Sequence, residues 1–323
     1  MKLLVTGGAG YVGSVVTRLL LDAGHSVVVL DDLSRNDAAQ VPAEAEFVRA
    51  RIQDAATVLT PDAGYDAVLH FAGLISAGES MAHPELHWDN NTTGSLALLD
   101  AMRRARVPKL IFSSTAAAYG DPSELPLTET AATKPVNTYG ATKLAVDMAI
   151  TSESHAYDLA AASLRYFNVA GALIRPDGSM LGERHDPETH LIPIALEVAA
   201  GKREKLQLFG DDYPTPDGTC VRDYIHVADL AEAHLLALGA LTSGDHRIYN
   251  LGNGTGFSNK QVVEAVRQVT GQTVPVEIAP RRPGDPAALF ASSEKARREL
   301  GWVPAKPSLT EIVADSWHFY RHA

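Results

Sequence analysis

Tyr139 and Lys143 stand four apart in "TYGATKLAV", at the start of a helical pattern, so their side chains share one face. A phenol next to an ammonium can serve as a general base if its phenolate is stabilised. Its ordinary pKa near 10 would have to fall about three units, roughly 4 kcal/mol, to do so at neutral pH. Positive charge in a partly desolvated cleft shifts a phenol in that direction. Alone, such a pair is more often a solvated helix face. Upstream, "SSTAAAYG" (Ser113–Gly120) crowds the hydroxyls of Ser113, Ser114 and Thr115 after the apolar run "KLIF", then follows them with three alanines. That stretch is either a small-residue turn or a catalytic edge stripped of further acid and base groups, because a methyl can neither donate nor abstract a proton.

A second chemical signal lies at the N-terminus. "KLLVT" runs directly into "GGAGYVG", where Gly7, Gly10 and Gly13 have G-x-x-G-x-x-G spacing, and the helical pattern "SVVTRLLLDAG" follows. Glycines there permit a tight turn and let a pyrophosphate approach free N–H groups at a helix N-terminus. Asp31, at the end of the second apolar run, is placed to accept hydrogen bonds from an adenosine ribose and to repel a 2′-phosphate. The combination favours NAD over NADP; a glycine turn beside a surface aspartate is the plainer alternative.

Elements able to position these groups are legible. Strands are expected in "KLLVTG", "SVVVLDD", "AEFVRARI", "DAVLHFAG", "KLIFSS" and "AAASLRYFNVAG", with helices in "SVVTRLLLDAG", "NTTGSLALLDAMRRARV" and "YGATKLAVDMAITSESHA". Nearly continuous apolar strands alternating with helices imply an α/β fold with a doubly wound parallel sheet, Rossmann-like in its NAD-binding part. We expect residues 1–170 to form that domain, with the chain returning to it around 221–251. Residues 171–323, looser and richer in turns, are expected to form mainly a smaller mixed α/β substrate domain, with ligands bound between the two.

Bulk properties narrow the classes. The 323 residues carry a formal net charge of −11, which argues against nucleic acid or an anionic membrane as the main partner. No apolar run approaches a membrane span and the N-terminus does not read as a secretory signal. The single cysteine, Cys220, cannot form an internal disulfide, which suits a cytoplasmic location. Twelve histidines are scattered without H-E-x-x-H, so no metal site is expected.

The segments "GGAGYVGS", "LDDLS", "HFAGLISAGES", "DNNTTGSL", "SSTAAAYG", "YGATK", "YFNVAGA", "FGDDYPTPDGTCVRDYIHVADLAEAH", "YNLGNGTG" and "RRPGD" resemble the extended short-chain dehydrogenase/reductases, and within them the UDP-galactose 4-epimerases. The resemblance spans about residues 1–320. It implies Tyr139 as base, Lys143 as the holder of the nicotinamide ribose and Thr115 as the assisting hydroxyl. It also implies a cofactor site of Gly7, Gly10, Tyr11, Val12, Gly13, Asp31, Asp32, Leu33, Ile52, Phe71, Ala72, Gly73, Asn90, Ser113, Tyr139, Lys143 and Tyr166. The implied UDP-hexose contacts are Thr115, Tyr139, Asn168, His190, Leu191, Arg222, Arg282, Asp285 and Leu289; guanidinium groups suit a pyrophosphate and a carboxylate suits ribose hydroxyls. Tyr139 and Thr115 would take the C4 hydroxyl proton as C4 hydride passes to NAD. The resulting 4-keto sugar would rotate and be reduced on its other face, interconverting UDP-galactose and UDP-glucose. Related dehydratases carry Asp-Glu where Ala116 and Ala117 stand, so onward elimination is not expected.

Several positions depart from the family pattern: Ala50-Arg51 in place of Gly-Asp, Ile75 where some members have lysine, His190 in place of asparagine, and Leu289 at the position that limits room for a 2-N-acetyl group. N-acetylhexosamine substrates therefore stay open. So does UDP-glucuronate, for which Arg175, Arg184, His185, Thr189 and His190 are candidate carboxylate contacts. A non-catalytic NAD-binding regulator would share the fold but has no need of Thr115, Tyr139 and Lys143 together. The resemblance further implies a homodimer built through the helices beginning near Asn90 and at Tyr139.

Overall fold

Alternate residues of β1 (Lys2–Thr6) enter two different apolar clusters, Leu3 and Val5 on one side and Leu4 on the other. Strand β2 (Ser26–Asp31) divides in the same way, with Val27 and Val29 opposed to Val28 and Leu30. A strand apolar on both faces must be covered on both, and it is. The computed structural model describes residues 1–185, 187–282 and 285–322. Strands β3 (Glu46–Arg49), β4 (Ala67–His70), β5 (Lys109–Thr115), β6 (Ala160–Tyr166) and His246–Leu251 complete a seven-stranded sheet whose pairings are all parallel. Its order from one edge is β3-β2-β1-β4-β5-β6, then His246–Leu251. Helix α1 (Tyr11–Asp22) and the helix Val227–Gly239 cover one face through Val15, Val16, Leu20 and Leu230. The helices Gly94–Ala105 and Thr138–Tyr157 cover the other through Leu98, Met102, Val146 and Ile150. This is the doubly wound arrangement expected from the alternation of strand and helix.

The strand order reverses between β1 and β4, so the loops leaving their carboxyl ends diverge and open a crevice. The apolar run after Ala160 is not one strand. It breaks after Tyr166, and Asn168–Ala170 leaves the sheet to pair in parallel with Tyr224–His226, with the Asn168 N–H donating to the Asp223 carbonyl at 3.0 Å. That departure carries the chain into its C-terminal region. There the helices Leu191–Ala199, Asn259–Thr270 and Leu309–His322 and the strand Leu206–Phe209 share a third apolar cluster, and Leu206–Phe209 pairs with the more exposed strand Val276–Ala279. Nearby, Val221–Arg222 lies between Phe257–Ser258 and Ala288–Leu289 in a small three-stranded sheet. Among the described residues no helix is long and apolar enough to cross a membrane.

Candidate active site

The glycine-rich loop fits its place only because side chains are missing from it. Gly7 adopts φ +70°, and a Cβ on it would lie 2.5 Å from the Ala72 amide nitrogen in the loop after β4. A Cβ on Gly13 would sit 2.2 Å from the Gly7 carbonyl. The loop thus packs flat against the next strand's exit and directs the start of α1 into the crevice. Asp31 closes the end of β2, 5% exposed, and accepts from the Ala9 N–H at 3.1 Å and the Leu33 N–H at 2.9 Å. Burial raises its pKa and those two backbone donors counter the rise. Leu33, at φ +59°, therefore serves by its backbone. Arg35 also borders this end of the crevice, but Glu79 pairs with it at 2.6 Å.

At the other end, Asn137 caps the helix Thr138–Tyr157 by accepting from the Gly140 N–H at 2.8 Å. The Tyr139 N–H donates to the Ser80 hydroxyl at 3.0 Å. Gly140 lets the helix press onto the turn after β5, since a Cβ there would come within 2.5 Å of the Ala117 carbonyl. That turn, Ala116–Ala118, begins with Thr115 Oγ1 accepting from the Ala117 N–H at 3.1 Å. Lys143 is 3% exposed; its Nζ donates to the Ser113 carbonyl at 3.0 Å and lies 4.9 Å from the centre of the Phe112 ring. Burial lowers its pKa to about 8 against the opposing pull of Asp147. The Ser113 and Tyr166 hydroxyls are hydrogen-bonded to each other.

The surroundings of the phenol bear on its charge. Burial raises the Tyr139 pKa, and hydrogen bonding with Thr115 pulls the other way. The Lys143 ammonium is turned to the Ser113 carbonyl, so the dry protein by itself does not favour the phenolate. That form requires further positive charge delivered into the crevice.

Both ends belong to one cleft of about 450 Å³. It is bordered by Gly7, Gly10, Tyr11, Val12, Gly13, Asp31, Asp32, Ile52, Phe71, Ala72, Gly73, Asn90, Ser113, Tyr139, Lys143 and Tyr166, that is, by every residue of the expected cofactor set except Leu33. Thr115, Asn168 and His190 from the expected substrate set border it too. Asn90 Oδ1 is buried with no hydrogen-bond partner, an acceptor that a ligand in the cleft could satisfy. Ala50 borders the cleft, whereas Arg51 turns outward to Asp89 at 3.1 Å.

Leu191, Arg222, Arg282, Asp285 and Leu289 are not on the cleft wall. Arg222 is ion-paired with Asp285 and stands opposite Leu289 in the small sheet. The Arg282 guanidinium lies 3.7 Å from the centre of the Phe209 ring. The paired strands Asn168–Ala170 and Tyr224–His226 link this second cluster to the cleft. Arg175 and Arg184, candidates for a sugar carboxylate, face elsewhere: Arg175 pairs with Asp22, and Arg184 lies over Phe319 at 5.3 Å.

Sequence reasoning missed two features. Asn91, beside the expected Asn90 in the widened helical turn Trp88–Thr93, clamps the loop after β4. It donates to the Leu74 carbonyl at 2.9 Å and accepts from the Leu74 N–H at 2.7 Å. The second is a group of Glu183, His185, Glu188 and His190, three of which (Glu183, His185 and His190) border the cleft. Burial alone would lower the His190 pKa, but the neighbouring Glu183 and Glu188 carboxylates raise it to about 10. Burial likewise opposes ionisation of Glu183, and its two histidine partners outweigh it, bringing its pKa to about 2. The spacing E-x-H-x-x-E-x-H was the available signal.

A glycine-rich loop at the switch point, an acidic residue ending β2 and a buried Tyr-x-x-x-Lys pair border one cleft, with the first two arranged as for a dinucleotide. Comparison with known proteins bears on the same point. Residues 3–252 match the model of the NAD dependent epimerase/dehydratase family. The UDP-glucose 4-epimerase of Corynebacterium glutamicum is 54% identical over 99% of this chain and 95% of its own. That of Streptomyces lividans is 55% identical over 99% and 96%. The crystal structure of UDP-glucose 4-epimerase from Brucella ovis in complex with NAD superposes with a TM-score of 0.93 at 43% identity, covering 99% of this chain and 98% of that one. On the match over residues 3–252 and the full-length likeness to these relatives, this chain belongs to the NAD dependent epimerase/dehydratase family.

Proposed function

We propose that the protein is a UDP-sugar 4-epimerase that interconverts UDP-glucose and UDP-galactose, with NAD held in the cleft. The observation that carries this reading is the joining of Thr115, Tyr139 and Lys143 to the glycine-loop end by a single cleft. Full-length likeness to UDP-glucose 4-epimerases supports the same substrate class. NAD, when bound, supplies a reversible hydride acceptor at the sugar's C4. The glycine loop and α1 would hold its pyrophosphate, Asp31 its adenosine ribose, and Lys143 with Tyr139 its nicotinamide ribose.

Tyr139 Oη is the atom that takes the C4 hydroxyl proton and later returns it, with Thr115 Oγ1 holding the hydroxyl between them. Lys143 keeps the helix face against β5 through the Ser113 carbonyl. Arg222, Arg282 and Asp285 would hold the UDP moiety, which leaves the hexose free to turn and present its other face. Ala116 and Ala117 offer only methyl side chains and cannot supply the acid and base for elimination. Arg175 and Arg184 are tied away from the cleft, whereas His185, Thr189 and His190 border it, so UDP-glucuronate is the substrate to compare.

The exposed Leu96 and Met148, on the helices Gly94–Ala105 and Thr138–Tyr157, support a homodimer built across that face. A lone buried cysteine supports a cytoplasmic location. The deciding experiment incubates purified protein with UDP-galactose, without added NAD, and follows the sugar anomeric protons by NMR. UDP-glucose should appear and UDP-glucuronate should stay unchanged. No conversion, even after NAD is added, overturns the reading.

A further inference from the structure

Glu183 and Glu188 present a problem of buried charge. Their side chains are 9% and 8% exposed. Among the described residues their only ion-pair partners are two histidines, with no lysine or arginine in reach. Two carboxylates removed from water need compensating positive charge nearby. Two imidazolium protons would provide it, and so would one divalent ion.

The four side chains are also close enough to share one ion. Ligand atoms from Glu183, His185, Glu188 and His190 all lie within 4.8 Å of one another. His190 Nδ1 is 2.6 Å and His185 Nδ1 2.8 Å from the same Glu183 oxygen, and Glu188 Oε1 is 3.3 Å from His190 Nδ1. Four donors around a tetrahedral ion stand roughly 3.3 Å apart, so the pairs at 2.6 and 2.8 Å would open slightly and any pair as wide as 4.8 Å would close by about 1.5 Å. His185 and His190, with side chains 23% and 42% exposed, have room to do so. The Glu188 carboxylate is already oriented, accepting from the N–H groups of Thr189 at 2.6 Å and His190 at 2.7 Å. Such outer contacts are what fixes a metal ligand in place.

We propose that Glu183, His185, Glu188 and His190 form a binding site for a divalent transition-metal ion on the wall of the cleft. Two imidazole nitrogens and two carboxylates suit zinc, cobalt or manganese, and the absence of a thiolate disfavours softer ions. On the functional reading above, the cleft receives phosphate-bearing ligands. A divalent ion here cancels the two carboxylate charges of the group.

The test uses the full chain without an affinity tag, treated with a chelator and then titrated with Co²⁺ alone, followed by Zn²⁺ in competition. One equivalent of cobalt should bind and show the visible bands of a low-coordinate site, and zinc should displace it. His185→Gln and Glu188→Gln should each weaken binding by about 10- to 100-fold or more. His322→Gln, which alters the stacked His318–His322 pair at the C-terminus, should leave binding unchanged. If Glu188→Gln does not fold, His185→Gln gives the same comparison at a more exposed residue. Absence of saturable binding, binding indifferent to His185→Gln, or loss in His322→Gln each overturns the proposal. Because the readout contains no nucleotide sugar, failure of the epimerase assay leaves this result standing, and the reverse holds.

Discussion

Lys143→Met should make the cofactor-free protein more stable near neutral pH while abolishing its activity. The ammonium is held at 3% exposure, and its pKa falls from 10.5 to about 8. A shift of that size disfavours the charged form in the folded state by roughly 3 kcal/mol. The folded pKa lies below the unfolded one, so the unfolded chain binds more protons between about pH 8 and 10.5. Stability therefore rises with pH across that window, and below it the full penalty is present. Methionine removes the penalty. It also removes the bond to the Ser113 carbonyl and the contact with the Phe112 ring, together about 1–2 kcal/mol. The net expectation near pH 7 is a variant more stable by about 1–2 kcal/mol.

The neutral amine still donates to the Ser113 carbonyl, so that loss is common to both pH values, whereas the charge penalty is not. Between about pH 7 and pH 9.5 the variant's stability relative to wild type should drop by about 2 kcal/mol. Urea unfolding of both proteins at the two pH values, after cofactor removal, measures this directly. A constant offset at both pH values refutes the reasoning, whichever protein is the more stable.

Tyr139→Phe should lower kcat by about 10²- to 10⁴-fold while leaving UDP binding intact, as steady-state kinetics and calorimetry would show. Asp31→Asn keeps an acceptor for the Ala9 N–H but removes the charge. Fluorescence titration should then find the preference for NAD over NADP reduced by about tenfold. Gly13→Ala, which in an ordinary helix adds about 1 kcal/mol of stability, should instead lower the melting temperature and prevent cofactor retention, because its Cβ meets the Gly7 carbonyl at 2.2 Å. Leu96→Glu combined with Met148→Lys should yield monomers in light scattering, and an unchanged mass would place the dimer contact elsewhere.

Much of this protein is determined locally. The alternation of strand and helix, the glycine loop and Asp31 follow from hydrophobic periodicity and turn chemistry, and the Tyr-x-x-x-Lys face follows from helical spacing. Those signals span a few residues each and survive without tertiary context. What only the tertiary structure decided depends on burial and on segments distant in the chain. The direction of the Tyr139 pKa turns on how dry the crevice is and on where the Lys143 ammonium points. Asn91 gains its role from a loop 17 residues away. Arg175 lost its candidate role to Asp22, 153 residues earlier, and Arg222 is tied to Asp285, 63 residues later. Glu183, His185, Glu188 and His190 are close in sequence, yet the burial of their charges, which gives the group its meaning, is set by the elements packed around it. Spacing specifies which side chains can meet; desolvation and long-range packing specify what they do once they have met.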